Sequence, residues 1–188
     1  MLLSEGQILS AKFIAYADHW RTAETLQGLA DQNPNEANDL LVASIVFRAF
    51  ALEAFLFHLG ETLSLGSGAF ENEPTIEKLK TLAKQLNVDL EMSSAGWRLL
   101  HKLLKARNQV AHAKDDELCT RIPRPANHDD PEALAAFQSD WQRFANKGNS
   151  KEIREYLGRV MLNLWTAAGH MPESLFARGI QYWRSEPC

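Results

Sequence analysis

The sequence predicts an all-α protein, and three observations carry that prediction. Nearly every segment reads as helix by the spacing of its apolar residues, and no run alternates as a half-buried strand would. No hairpin signal, internal repeat or low-complexity stretch interrupts the chain. Capping residues, prolines and glycines stand where those helical runs begin and end.

Ser4 followed by Gln7 has the form of a capping box, opening a first helix that runs to about Asp31. Its apolar positions, Ile8, Ala11, Phe13, Ala15, Tyr16 and Leu26, are only roughly periodic. Asn33-Pro34-Asn35 breaks the chain. A second helix, about Glu36 to Ser64, is apolar almost all the way round its middle and is expected to be the central, most buried element. Gly66, Gly68 and Pro74 mark a loop, and a short helix from about Thr75 to Leu86 follows with lysines on its outer face. Ser93 or Ser94 can cap a fourth helix over about 94–113.

A charged loop, Lys114 to Asp130, carries Pro123 and Pro125. Asp130-Pro131-Glu132 joins an N-cap, a first-turn proline and an early acid, starting a fifth helix that reaches about Lys147. A sixth begins near Ser150 and stops at Gly169. The tail, with Leu175, Phe176, Tyr182 and Trp183, is expected to pack back as a short helix. The reading is one domain, with a core over about 5–113 and C-terminal helices over about 131–183.

The 188 residues suffice for a real hydrophobic core, and 45 % apolar with 23 % charged residues is an ordinary globular balance. A net charge of −4 argues against a protein coated in positive charge for bulk nucleic-acid binding. Local charge differs: from Ser93 to Lys114 stand Arg98, Lys102, Lys105, Arg107 and Lys114 with no acid, so one face can attract a polyanion. Cys119 and Cys188 have no metal or disulfide spacing, which fits free thiols in a reducing compartment. The opening Met-Leu-Leu-Ser-Glu-Gly-Gln lacks the basic start and unbroken apolar run of a signal peptide. The most apolar segment, Leu40 to Leu59, is interrupted by Arg48, Glu53 and His58, too polar for a membrane span. A cytoplasmic protein without a membrane partner is expected.

The chemistry concentrates in Lys105-Ala-Arg107-Asn108-Gln-Val-Ala-His112. At about 100° per residue, Leu100, Leu103, Leu104, Val110 and Ala111 share one side of the fourth helix, with Arg107 in the middle of that arc. A guanidinium there needs a partner, a ligand or an interface, because it cannot shed its charge. His112 is the side-chain type whose ordinary pKa suits proton transfer near neutrality. On an ideal helix Arg107 and His112 point about 140° apart, whereas Asn108 and His112 share a face. The two therefore converge only if the helix bends or ends between them, or if a second protomer supplies one.

The run Arg107-Asn108-Gln109-Val110-Ala111-His112 resembles the signature of the HEPN superfamily: an arginine, often a polar residue next, then a histidine after four to six intervening residues. Phe47-Arg-Ala-Phe-Ala-Leu-Glu53-Ala-Phe-Leu-Phe-His looks like the long apolar HEPN helix with one embedded acid. The likeness is sharp over about residues 36–115. It implies a bundle of about four core helices that commonly dimerises, setting two Arg/His sets across a cleft. Many such proteins are endoribonucleases without a metal or other cofactor, in toxin–antitoxin or antiviral systems. Others are non-catalytic modules binding RNA, a nucleotide or a partner protein. Carried over, the resemblance gives Arg107 the scissile phosphate, Asn108 a positioning hydrogen bond and His112 general acid–base work while the RNA 2′-hydroxyl attacks. The expected partners are RNA, a second copy of the chain, and an antitoxin or similar protein.

Each residue also has a plainer reading. Arg107 can pair with Glu53, on an apolar face of the second helix, which is compatible with function because the acid can orient the guanidinium. His112 can be a helix C-terminal histidine favoured by the dipole. Arg98, His101, Lys102 and Lys105 line the polar side of their helix, either as a solvated face or as a substrate-binding track. Arg121 and Arg124 flank prolines in the charged loop. His19 and His58 can in principle meet, but no Asp or Glu stands near them in ligand spacing, so no metal site is expected. The tryptophans read as core or interface.

Overall fold

A computed structural model describes residues 7–10, 14–65, 68–112, 139–177 and 184–187. Among them are seven α-helices: α1 Ala15–Gln32, α2 Ala37–Thr62, α3 Gly68–Glu71, α4 Thr75–Gln85, α5 Ala95–Ala111, α6 Asp140–Phe144 and α7 Lys147–Ala167. The class is all-α. The charged loop with Arg121 and Arg124, the Asp130-Pro131-Glu132 helix start, His128, both cysteines, Tyr182 and Trp183 lie outside the described residues.

The ends of the chain depart from expectation. Gln7–Ser10 forms a strand, β1, antiparallel to β2, Arg184–Pro187, in the register Gln7↔Pro187 to Ser10↔Arg184. The first helix therefore starts at Ala15, behind Ile14, which offers no side-chain cap. Ser4 lies outside the described residues, and Gln7 belongs to the ladder. Pairing with a segment remote in sequence satisfies the backbone groups of Gln7–Ser10, which outweighs a weak local helix preference. Pro187, with no N–H to donate, sits at the end of the ladder, where that loss costs least.

α2 packs against α1, α4, α5, α6 and α7, so it is the central element. It buries Leu41, Ile45, Ala49, Leu52, Phe55, Leu56 and Leu59 on the sides that meet those helices. Its best 18-residue window has a mean hydropathy of 2.1, so by length and composition this helix passes the test for a membrane span despite Arg48 and Glu53. Half of that window is buried inside the bundle. The reading of the segment as too polar is thereby corrected: three polar residues do not outweigh so many apolar ones.

Arg48 is the exception inside that core. It is 0 % exposed and ranks among the largest fully buried side chains. Its Nη2 donates to Glu24 Oε1 at 2.7 Å and to Gln27 Oε1 at 3.0 Å, both from α1. The guanidinium lies 4.5 Å from the ring centroid of Trp20, and Glu24 also accepts from Arg154 Nε of α7 at 2.8 Å. Burial pulls the Arg48 pKa down while the Glu24 carboxylate pushes it back up; an arginine keeps its charge through such a shift. One carboxylate thus ties α1, α2 and α7 together.

The C-terminal half is divided differently from the sequence reading. Ser139 and Gln142 form the capping box of α6, Ser139 Oγ accepting from Gln142 N and Gln142 Oε1 accepting from Ser139 N at 2.8 Å. The helix stops at Phe144, and Asn146 caps α7 by accepting from Asn149 N at 2.9 Å. The expected continuation to Lys147 and restart near Ser150 are both displaced, because Asn146 is the stronger cap. α7 closes in a Schellman turn: Gly169, at φ +86°, donates to Thr166 O and His170 donates to Trp165 O. Among the described residues of the tail, Pro172–Ser174 forms a 3-10 turn. Leu175 enters the core, and Phe176 stacks on Trp20 at 4.6 Å.

α5 docks on α7 through a close approach at Gly96, where a Cβ would stand 2.2 Å from the Tyr156 ring. Burial raises the Tyr156 pKa to about 12, and its hydroxyl donates to Leu90 O at 2.9 Å.

The buried ion pair generates a contrast. Glu24→Ala strands Arg48 in the core and should lower the unfolding free energy by about 3 kcal/mol, whereas Arg48→Met keeps the bulk, removes the charge and should cost less than about 1 kcal/mol. Urea denaturation of the two variants checks this; equal losses would overturn the account.

Candidate functional site

Ser94 opens α5, its Oγ accepting from Trp97 N at 3.1 Å. The helix then buries Trp97, Leu100, Leu103 and Ala106. That face is rotated from the expected one: Leu104, Arg107 and Val110 are only half-buried, and Ala111 is exposed. Arg107 therefore lies at the margin of the core rather than in the middle of its arc. The shift arises because Ala106, small and apolar, faces the neighbouring helices, while Arg107 reaches sideways along α2.

What Arg107 reaches is Glu53. Its Nη2 donates to Glu53 Oε2 at 2.5 Å, with the two side chains 24 % and 26 % exposed. Its Nη1 donates to Asn108 Oδ1 at 2.8 Å. The guanidinium carbon lies 5.3 Å from the centroid of Phe50, one turn before Glu53 on α2. Phe50 in turn meets Phe47 edge-on at 6.1 Å and the His19 ring at 5.9 Å. Arg107 Nε is buried with no hydrogen-bond partner. Glu53 Oε1 has a long 3.5 Å contact from Thr75 Oγ1 of α4. The guanidinium is thus held on three sides by a carboxylate, an amide oxygen and an aromatic ring.

His112 is exposed at the C-cap of α5, and its N–H donates to Asn108 O at 3.0 Å. The structure so joins Glu53, Arg107 and Asn108 in one hydrogen-bonded set and leaves His112 one turn further along, beside Asn108. The other candidates are not part of that set. Arg98 donates to Ser93 O at 2.8 Å at the opposite end of the helix, about 21 Å from His112 at 1.5 Å per residue. His101 is exposed and meets Trp97 edge-on at 5.1 Å. Lys102 and Lys105 are exposed and face α6 rather than Glu53.

His19 and His58 do not meet. His19 packs on Phe47 and Phe50, and His58 lies against Tyr16 and Trp165. Among the described residues no three His, Cys, Asp or Glu side chains gather in a way that could hold a metal ion. Trp20, Trp97 and Trp165 are core residues; Trp141 is only half-buried.

Two participants escaped the sequence reading. Phe50 was legible in principle, standing three residues before Glu53 on the same helical face. Among the described residues Arg48, not Arg107, is fully buried, a difference signalled by α2 being apolar almost all round while α5 has a basic polar side. The chain matches no protein-family model, no curated protein and no solved structure.

The Glu53–Arg107 pair is partly shielded from water, placing it between a surface ion pair and a buried one. A double-mutant cycle on Glu53→Ala and Arg107→Ala should return a coupling of about 1 kcal/mol in urea denaturation. A coupling near zero would mean that the pair does not hold the site.

Proposed function

We propose that this chain is a HEPN-like, metal-independent endoribonuclease of toxin–antitoxin or defence type, acting in the cytoplasm as a homodimer. The observation that carries the reading is the Glu53–Arg107–Asn108 set, with exposed His112 beside Asn108. A guanidinium clamped by a carboxylate and an amide is already oriented, so little reorganisation opposes its grip on a phosphate. In the proposed reaction the RNA 2′-oxygen attacks phosphorus and the bond to the 5′-oxygen breaks. One proton leaves the 2′-hydroxyl and another reaches the departing oxygen, and His112 serves one or both transfers. Arg107 stabilises the charge on the non-bridging oxygens. The nucleophile belongs to the substrate, so this chemistry asks for no metal.

Support for the dimer comes from α2. Phe47 and Phe50 are half-buried and Phe57 is 43 % exposed along the flank of this helix that also carries Glu53. An apolar stripe beside the Arg107 pair suits a self-complementary interface, which brings two copies of the site together. It also answers the angular separation of Arg107 and His112, since a partner protomer can supply the second group.

One observation favours a second reading, a non-catalytic module that binds RNA, a nucleotide or a partner protein. Glu53 already neutralises Arg107, which weakens its pull on a phosphate.

The two readings part on RNA incubated with the protein in excess EDTA. Cleavage ending in 2′,3′-cyclic phosphate is expected from the wild type, with a loss of about 10²–10⁴-fold in His112→Ala, the usual worth of a general acid–base residue. An intact, broad RNA panel would leave the binding module as the function.

A further inference from the structure

A groove of about 340 Å³ runs between α5 and the short helix α6, on the side of α5 away from Glu53. Its α5 wall carries Lys102 and Lys105, which stand one turn apart. Its opposite wall carries Trp141 and Phe144, also one turn apart, with Arg143 and Asp140 between and beside them. We propose that this groove binds a nucleotide unit, its base against Trp141 and its phosphate on Lys102 and Lys105.

Charge makes the first part of the case. α5 has no acidic residue. Neither lysine makes an ion pair or hydrogen bond among the described residues. Arg143, by contrast, is tied to Asp140 at 2.6 Å, so the acid in the groove is already spent on its neighbour. Among the described residues two ammonium groups therefore face a concavity with no acid left to neutralise them, which favours a phosphate there.

The second part is the aromatic wall. Trp141 is half-buried and has no aromatic ring partner among the described residues, leaving its indole available for stacking. Base–aromatic stacking is worth about 1–3 kcal/mol per base and tolerates every base, because each has a π-face. Phosphate alone would leave that wall unused, and an acidic peptide would leave the stacking surface without a planar partner. The volume lies at the small end of ligand pockets, which suits one nucleotide rather than a longer segment. The unit can arrive as a free 5′-nucleotide or within an RNA strand. The site stands whether or not Arg107 and His112 cleave RNA, since it uses neither residue.

The test is calorimetric titration of the full chain carrying His112→Ala, in EDTA and low salt. The ligands are adenosine 5′-monophosphate, an adenosine octaribonucleotide, inorganic phosphate and an octaglutamate peptide. Binding of the mononucleotide or the octamer is expected, weakened at least tenfold in Lys102→Glu/Lys105→Glu and several-fold in Trp141→Ala, with Trp141→Phe retaining most of it. Binding by the octamer alone would identify a strand as the source, and binding by the mononucleotide alone a free nucleotide. Equal binding of octaglutamate or inorganic phosphate would overturn the proposal. So would nucleotide affinity that the lysine reversals leave unchanged, or no binding of either nucleotide at millimolar concentration. Helical circular dichroism shows that each variant is folded, and RNA cleavage by the His112-intact chain reports separately on the catalytic reading.

Discussion

Arg48 imposes the constraint around which the bundle is arranged. A guanidinium with no exposure to water must have its charge balanced within the protein, and Glu24 is placed to do that from α1. Because Glu24 also meets Arg154, the position of α1 across α2 and the approach of α7 are set by one carboxylate. Trp20 supplies the remaining surface, its ring lying under the guanidinium on one side and stacking on Phe176 of the tail. Nε and Nη1 of Arg48 are left without hydrogen bonds, a cost that is tolerated only if the surrounding packing is firm. The apolar residues of α2 provide that packing.

The same helix links the core to the candidate site. α2 turns Leu52, Phe55, Leu56 and Leu59 into the bundle while Phe50 and Glu53 stand on its outer flank. Arg107 is held there by a mixture of ion pair, amide contact and ring face, a weaker version of the arrangement around Arg48. The two arginines differ in burial, and that difference assigns their roles. The buried one joins α1, α2 and α7, and the half-buried one joins α5 to α2 at the margin of the core. α5 then serves two sides at once: Arg107 reaches α2, and Lys102 and Lys105 lie toward α6.

Much of this was legible from residue order. Ser94 as a cap, Gly169 as a stop, the α2 core and the need of Arg107 for a partner on α2 all follow from interactions within a few residues, or from apolar periodicity. The failures have a common cause. The strand at Gln7–Ser10 depends on Arg184–Pro187, far along the chain, and no local rule sees such a partner. The break at Ala145 was hidden because Asn146 reads as a helix interior residue until its side chain is seen capping Asn149. The rotated face of α5 was missed because an alanine, Ala106, is as acceptable in a core as on a surface.

The sequence by itself determined that the chain is helical, that α2 is its apolar centre, and that Arg107, Asn108 and His112 fall at the end of an acid-free basic helix. Those properties reside in periodicity, capping and composition, which act over one or two turns. Only the tertiary structure decided that Glu53 and Phe50 hold Arg107, and that Trp141 faces Lys102 and Lys105 across a groove. Each of those facts joins residues on different helices, and their meeting is set by how the helices pack, which no stretch of sequence encodes alone.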